Sequence, residues 1–282
     1  SNEIGLYNYL KKSSEDDITA MARTYVKGYL DGFRITERDL SSKKTVRMIY
    51  PIGMERVARK SVLLFKEAGL ECVINEPGSF SYNRRNGGNG ACSSSENRQA
   101  LYDHSDDKSL YLNRAYFERK KEVIEDTYVK NVEAASDLSG IALMEVFGRE
   151  DFNPVTKDNS VKYTADDGKL ITEYMSVLGE IRNSYIPGDE TSFTIISYPA
   201  PSIGPDFEKI FEETVQINNL DSDHWRQIQQ YLIDALDKGD KVHITGAGEN
   251  RTDITVSLHP VVDPARETKF ENCVADVNIP VG

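Results

Sequence analysis

The chain has 282 residues, 39% of them hydrophobic, enough for one large or two ordinary domains that bury their own cores without staples. Its 46 acidic against 34 basic residues give a net charge of −12, the wrong sign for a surface that must neutralise phosphates, so no nucleic-acid partner is expected. Cys72, Cys92 and Cys273 stand at scattered spacings with no C-x-x-C pair, which implies neither a disulfide framework nor a structural zinc site and fits a reducing cytoplasm.

Residues 1–10 lack a basic segment followed by an apolar run, so no secretion signal is expected, and Ser1-Asn2 reads as a remnant of recombinant expression. The longest apolar stretches, such as Ser61 to Phe65, fall far short of the ~20 residues that cross a bilayer, which excludes a membrane partner. Ile18, Met21, Ala22, Tyr25, Val26 and Tyr29 recur at helical spacing, predicting a first helix over 15–30 that Gly32 ends. Thr45 to Tyr50 has strand composition and Pro51 and Gly53 break it. Val57, Ser61, Leu64, Phe65 and Ala68 then share a helical face up to Gly69, and Cys72 to Ile74 forms a second short strand. Strand, helix and strand within about 30 residues is the βαβ crossover, whose strands run parallel in one sheet.

From 76 to 100 the sequence has little apolar periodicity and many glycines and serines, a loop longer than compact domains usually carry. Residues 108–134 read as one long charged helix with Leu112, Ala115, Tyr116, Val123, Tyr128 and Val132 on its buried stripe. Ile141 to Phe147 and Phe193 to Ser197 are nearly continuous apolar runs, as expected of strands covered on both faces. A helix over 170–185 lies between them, and Pro199, Pro201 and Gly204 force a sharp exit from the last strand. Two helices follow, from near Asp206 and near Asp221 or Ser222. Lys241 to Thr245 and Thr252 to Ser257 then flank a glycine turn as a hairpin. The expected architecture is α/β: a Rossmann-like, mainly parallel twisted sheet with helices on both faces over 1–240, followed by 241–282, a β-containing segment that opens a second domain.

No local cluster reads as an active site. Gly246 and Gly248 lead into a strand rather than a helix, and Pro51 to Met54 offers a single glycine, so both read as structural turns and not phosphate loops. Tyr102 to Asp107 gathers His104 with three carboxylates, which read as helix-capping and solvated groups, with Asp106 or Asp107 the cap. His224 falls in the first turn of a helix beside Asp221 and Asp223. His243 and His259 have no acid nearby in sequence, Cys92 has no basic neighbour to make it a thiolate, and no G-x-S-x-G elbow occurs. No catalytic, cofactor-binding or metal-binding residue is therefore expected within residues 1–282.

Three segments in order resemble the aminopeptidase T family of metallopeptidases, also called thermophilic or leucyl aminopeptidases. Phe193-Thr-Ile-Ile-Ser-Tyr-Pro-Ala-Pro201 looks like the family's apolar strand with its proline-bounded turn. Thr245-Gly-Ala-Gly-Glu-Asn-Arg-Thr-Asp-Ile-Thr-Val-Ser-Leu258 is similar to its glycine turn and following strand. Phe270-Glu-Asn272 through Asn278-Ile-Pro280 resembles the lead-in to its first metal-binding glutamate, and Tyr102-Asp-His104 and Phe147-Gly148 look like features of the clostridial branch. The likeness lies mainly beyond residue 190. It implies the N-terminal domain of a cytoplasmic, homodimeric aminopeptidase that releases N-terminal amino acids from peptides with two divalent metal ions, zinc, cobalt or similar. The ligands for those ions would lie downstream of Gly282, so no family catalytic position transfers to this chain, and residues 1–282 alone are expected to be inactive. The alternative is a non-catalytic α/β module for small-ligand binding or dimerisation.

Overall fold

The computed structural model describes residues 1–74, 101–150, 153–219, 221–264, 267–272 and 277–278. The loop expected over 76–100, with Cys92, and also Cys273 lie outside them. The chain divides into two compact units, Ser1–Asn219 and Leu220–Gly282. The boundary expected at 240/241 falls inside the second.

In the first unit the order is α1 (Asn2–Lys12), α2 (Glu15–Ile35), β1 (Thr45–Ile49), α3 (Glu55–Glu67), β2 (Glu71–Ile74), α4 (Arg114–Lys130), α5 (Val132–Asp137), β3 (Leu138–Phe147), α6 (Ala165–Tyr185), β4 (Ser192–Pro199) and α7 (Phe207–Asn218). The four strands form one parallel sheet in the order β2-β1-β3-β4. The class is α/β, with helices flanking the sheet. Among the described residues no helix is long and apolar enough to cross a membrane.

Helix α2 organises the core. Ser14 and Asp17 form a reciprocal capping box at its start, satisfying backbone N–H groups that have no partner within the helix. Its apolar stripe, Ile18, Met21, Ala22, Tyr25, Val26, Tyr29 and Phe33, is buried. That stripe packs with α3 and α7 over Val46, Met48, Ala142, Met144, Ile196 and Tyr198 of the sheet. Burying one such large side chain stabilises the fold by roughly 1.5–3 kcal/mol. The helix does not end at Gly32 but runs on to Ile35, and a Cβ at Gly32 would collide with the Ser192 hydroxyl. The glycine marks close approach of helix to strand, not a helix end. Helix α1 was not anticipated; it is fixed by the Ser1 side-chain cap and by buried Leu6 and Leu10.

Two other expectations are corrected. The helix over 108–134 is broken: a 3-10 turn spans Asp107–Leu110, Asn113 caps α4 by accepting from Tyr116 N, and Asn131 separates α4 from α5. Only Phe117 of α4 is buried, edge-on to Tyr174 of α6, while Tyr128 stacks on Tyr185; Val123 and Val132 are exposed. Cover of the sheet is also less complete than the apolar runs suggested. Opposite the α2 side, Phe193 and Ile195 are 61% and 57% exposed, because alternation turns only Ile196 and Tyr198 inward.

The second unit holds α8 (Ser222–Leu236) and the antiparallel pairs β5 (Lys241–Thr245) with β6 (Asp253–Ser257) and β7 (Glu271–Asn272) with β8 (Val277–Asn278). Asp237 Oδ1 accepts from the backbone N–H groups of Lys269 and Phe270, and the buried Lys269 ammonium donates to Gly239 O, tying the segment before β7 to the end of α8. Trp225, the chain's one tryptophan, lies on α8. Ile244, Ile254 and Val256 of the hairpin are exposed.

Gly140 has φ +124°, and a Cβ there would overlap the Ser192 carbonyl oxygen, which is backbone and cannot rotate away. Gly140→Ala is expected to cost at least about 2 kcal/mol, read as a lowered urea midpoint by far-ultraviolet circular dichroism. An unchanged midpoint would contradict this packing.

Burial pushes the phenols of Tyr25, Tyr29 and Tyr198 well above their ordinary value of 10.0 and the Cys72 thiol from 9.0 up to about 11. The folded state therefore favours the neutral forms. Their contribution is whole below the unfolded values, begins to fall above pH 9.0 at Cys72, and is lost further as pH rises past 10.0. The Tyr25 hydroxyl is buried without a hydrogen-bond partner. Tyr25→Phe is thus expected to gain about 1 kcal/mol at neutral pH and to flatten the alkaline loss, measured by urea unfolding across that range. Destabilisation at neutral pH would refute it.

Candidate functional site

The strand order reverses at β1, so the carboxyl ends of β1 and β3 meet at the crevice where open α/β sheets hold ligands. Here the first turn of α1 covers the neighbouring loops. Asn2 Oδ1 accepts from Ser202 N at 2.9 Å, and Gly53, at φ +101°, passes so near the Glu3 carbonyl that an added Cβ would stand 2.8 Å from it. Gly53 N–H donates to Glu55 Oε1 at 3.0 Å, placing a carboxylate at the start of α3. That charge occupies the helix terminus a phosphate would use, which agrees with reading Pro51 to Met54 as a plain βα turn. Glu55 Oε2 is buried with no hydrogen-bond partner.

Beside this crevice, α1, the first two turns of α2 and α7 enclose an open groove of about 660 Å³. Helix α7 leaves the carboxyl end of β4 and α2 starts at the same end, so the groove belongs to the ligand-binding end of the fold. Its floor is apolar. Met21 and Phe211 are buried, and the Tyr9 ring tilts against Phe211 with centroids 4.7 Å apart and meets Phe207 edge-on at 5.3 Å.

The groove's rim is charged. Lys12 and Asp17 lie on one side and Glu208 and Glu212, one helical turn apart, on the other. Asp17 is committed to the α2 cap, where its Oδ2 accepts from Ser14 Oγ at 2.7 Å. Among the described residues the side chains of Glu208 and Glu212 have no hydrogen-bond or ion-pair partner. Burial first, and then the charges of Glu212, Glu208 and Asp17, push the Tyr9 phenol up to about 12. Such an environment can hold an apolar body and a polar or charged group together.

The residues weighed from sequence are scattered. His104 Nδ1 lies 2.8 Å from Asp107 Oδ2, both about half exposed, and Asp106 accepts from Tyr163 N. Neither aspartate caps α4, since Asn113 does. Asp221 caps α8 by accepting from Asp223 N and His224 N. His243 does have an acid beside it: Asp253 Oδ1, 2.7 Å away across the hairpin, which ten residues of separation hid from a local reading. Gly246 and Gly248 turn β5 into β6, with Gly248 at φ +64°. The groove residues were missed because α7, which forms one wall, lies far along the chain from α1 and α2, which form the other. The available signal was Glu208 and Glu212 bordering the stripe of Phe207, Phe211 and Val215.

Among the described residues no group of three or more His, Cys, Asp or Glu side chains could hold a metal ion. No family model, no curated protein and no solved structure matches the chain.

Proposed function

We propose that the Ser1–Asn219 unit is an α/β ligand-binding module whose site is the groove between α1, α2 and α7. The observation that carries this reading is the groove itself. At about 660 Å³ it is the size of a small-molecule site, with an apolar floor and a few charged groups at its edge. It also lies at the end of a parallel sheet where such folds recruit ligands. The test is amide-resolved NMR of the purified chain against a library of small aromatic and aliphatic compounds. Shifts gathered on the ends of α1, the start of α2 and α7 are expected, and shifts gathered elsewhere would overturn the reading.

A second reading gives this module a place in a cytoplasmic, homodimeric, metal-dependent aminopeptidase as its N-terminal domain. What supports it is the ordered likeness of 193–201, 245–258 and 270–280, whose first two segments take the local forms the resemblance implies. They are a strand closed by a proline-bounded 3-10 turn at Pro201–Ile203, and a hairpin turned by glycines. The exposed apolar hairpin face agrees with association between chains. The catalytic glutamates and histidines would lie beyond Gly282, and this chain would help frame entry to the cleft. The check is to express the gene's reading frame beyond Gly282 and assay release of amino acids from aminoacyl anilides with zinc, cobalt or manganese. Activity of the longer protein, absent from residues 1–282, is the expected result; a stop codon after Gly282 would eliminate the reading.

A further inference from the structure

We propose that the groove takes a small organic cation, an amine on an apolar body, with Glu208 and Glu212 as its counter-charges. The inference rests on the reading that this groove is the ligand site and adds the chemistry of what enters it. Three carboxylates face one ammonium, Lys12, around the rim. Of the three, Asp17 already serves the α2 cap, which leaves the two glutamates of α7. They stand one turn apart on the same helix, a like-charge arrangement that weakens the helix, and among the described residues neither has a side-chain ion-pair partner.

Their charges reach the floor: after burial, which contributes most, Glu212 and Glu208 are the next causes that hold the proton on the Tyr9 phenol, and those two negative charges favour an entering positive one. The ring of Tyr9 beside Phe211 offers an apolar and aromatic seat whose negative face suits a cation, while an anion would meet the two glutamates. Lys12 is a lone counterweight on a flexible stem across the groove.

The test uses the full chain and three probes of one shape and different charge: phenethylammonium, phenethyl alcohol and hydrocinnamate. Binding is followed at the amides of the groove. Phenethylammonium is expected to bind about tenfold more tightly than the alcohol. Glu208→Gln combined with Glu212→Gln is expected to bring it down to the alcohol's level, with an unchanged circular dichroism spectrum because neither side chain holds a structural partner. If the alcohol or hydrocinnamate binds the groove as well as the ammonium, or if the double variant leaves ammonium binding intact, the cation assignment is overturned while the groove remains a ligand site. If no probe shifts groove amides but other library compounds do, the cation assignment alone falls. If nothing shifts them, the reading of the groove falls with it.

Discussion

Where α2 crosses the sheet, the hydroxyl of Ser192 fills the space a side chain at Gly32 would need and donates to the Tyr29 carbonyl at 2.9 Å, while the Ser192 carbonyl lies against Gly140. Two glycines, one on the helix and one on β3, thus let backbone approach backbone. Tyr29 completes the junction: Ser139 gives its proton to Thr45 O at 2.6 Å, so the phenol is the donor in its 2.7 Å bond to Ser139. The seam is polar, buried and satisfied, which fixes the register of α2 on β3 and β4 more narrowly than apolar contact alone. The apolar stripe of α2, the seating of α3 and α7, and the width of the groove between α2 and α7 all follow from that spacing.

The legible parts of this fold are those whose partners are close in sequence or whose burial is one-sided and periodic. β1, α3 and β2 were readable because Val57, Ser61 and Phe65 mark a helical face between two strand-like runs. β3 and β4 were readable from apolar density, but density does not say which face each side chain takes. Phe193 and Ile195 therefore appeared as buried as Ile196. Gly32 was read by its usual habit of ending helices, and only its contact with Ser192, 160 residues later, explains why the helix continues. Residues 108–134 lost their continuity to two asparagines, Asn113 and Asn131, whose side chains serve the backbone better at a helix end than inside one.

The candidate site was less readable than the fold for a related reason. Clusters of titratable residues adjacent in sequence, such as Tyr102 to Asp107, draw attention but are spread by the chain into separate local bonds. The groove brings Tyr9, Asp17 and Glu212 together from three helices, and no window along the sequence contains them. His243 and Asp253 show the same effect over a shorter span: strand pairing joins them.

The placement of aromatic residues has a spectroscopic consequence. The single tryptophan, Trp225, belongs to the Leu220–Gly282 unit, whereas the packed rings of Tyr25, Tyr29 and Tyr198 belong to Ser1–Asn219. Tryptophan emission, excited selectively, reports the smaller unit, and tyrosine ellipticity in the near ultraviolet is dominated by the larger one. The molecule carries its own two-colour label, so a denaturation followed at both signals separates a chain whose units melt together from one whose units melt apart.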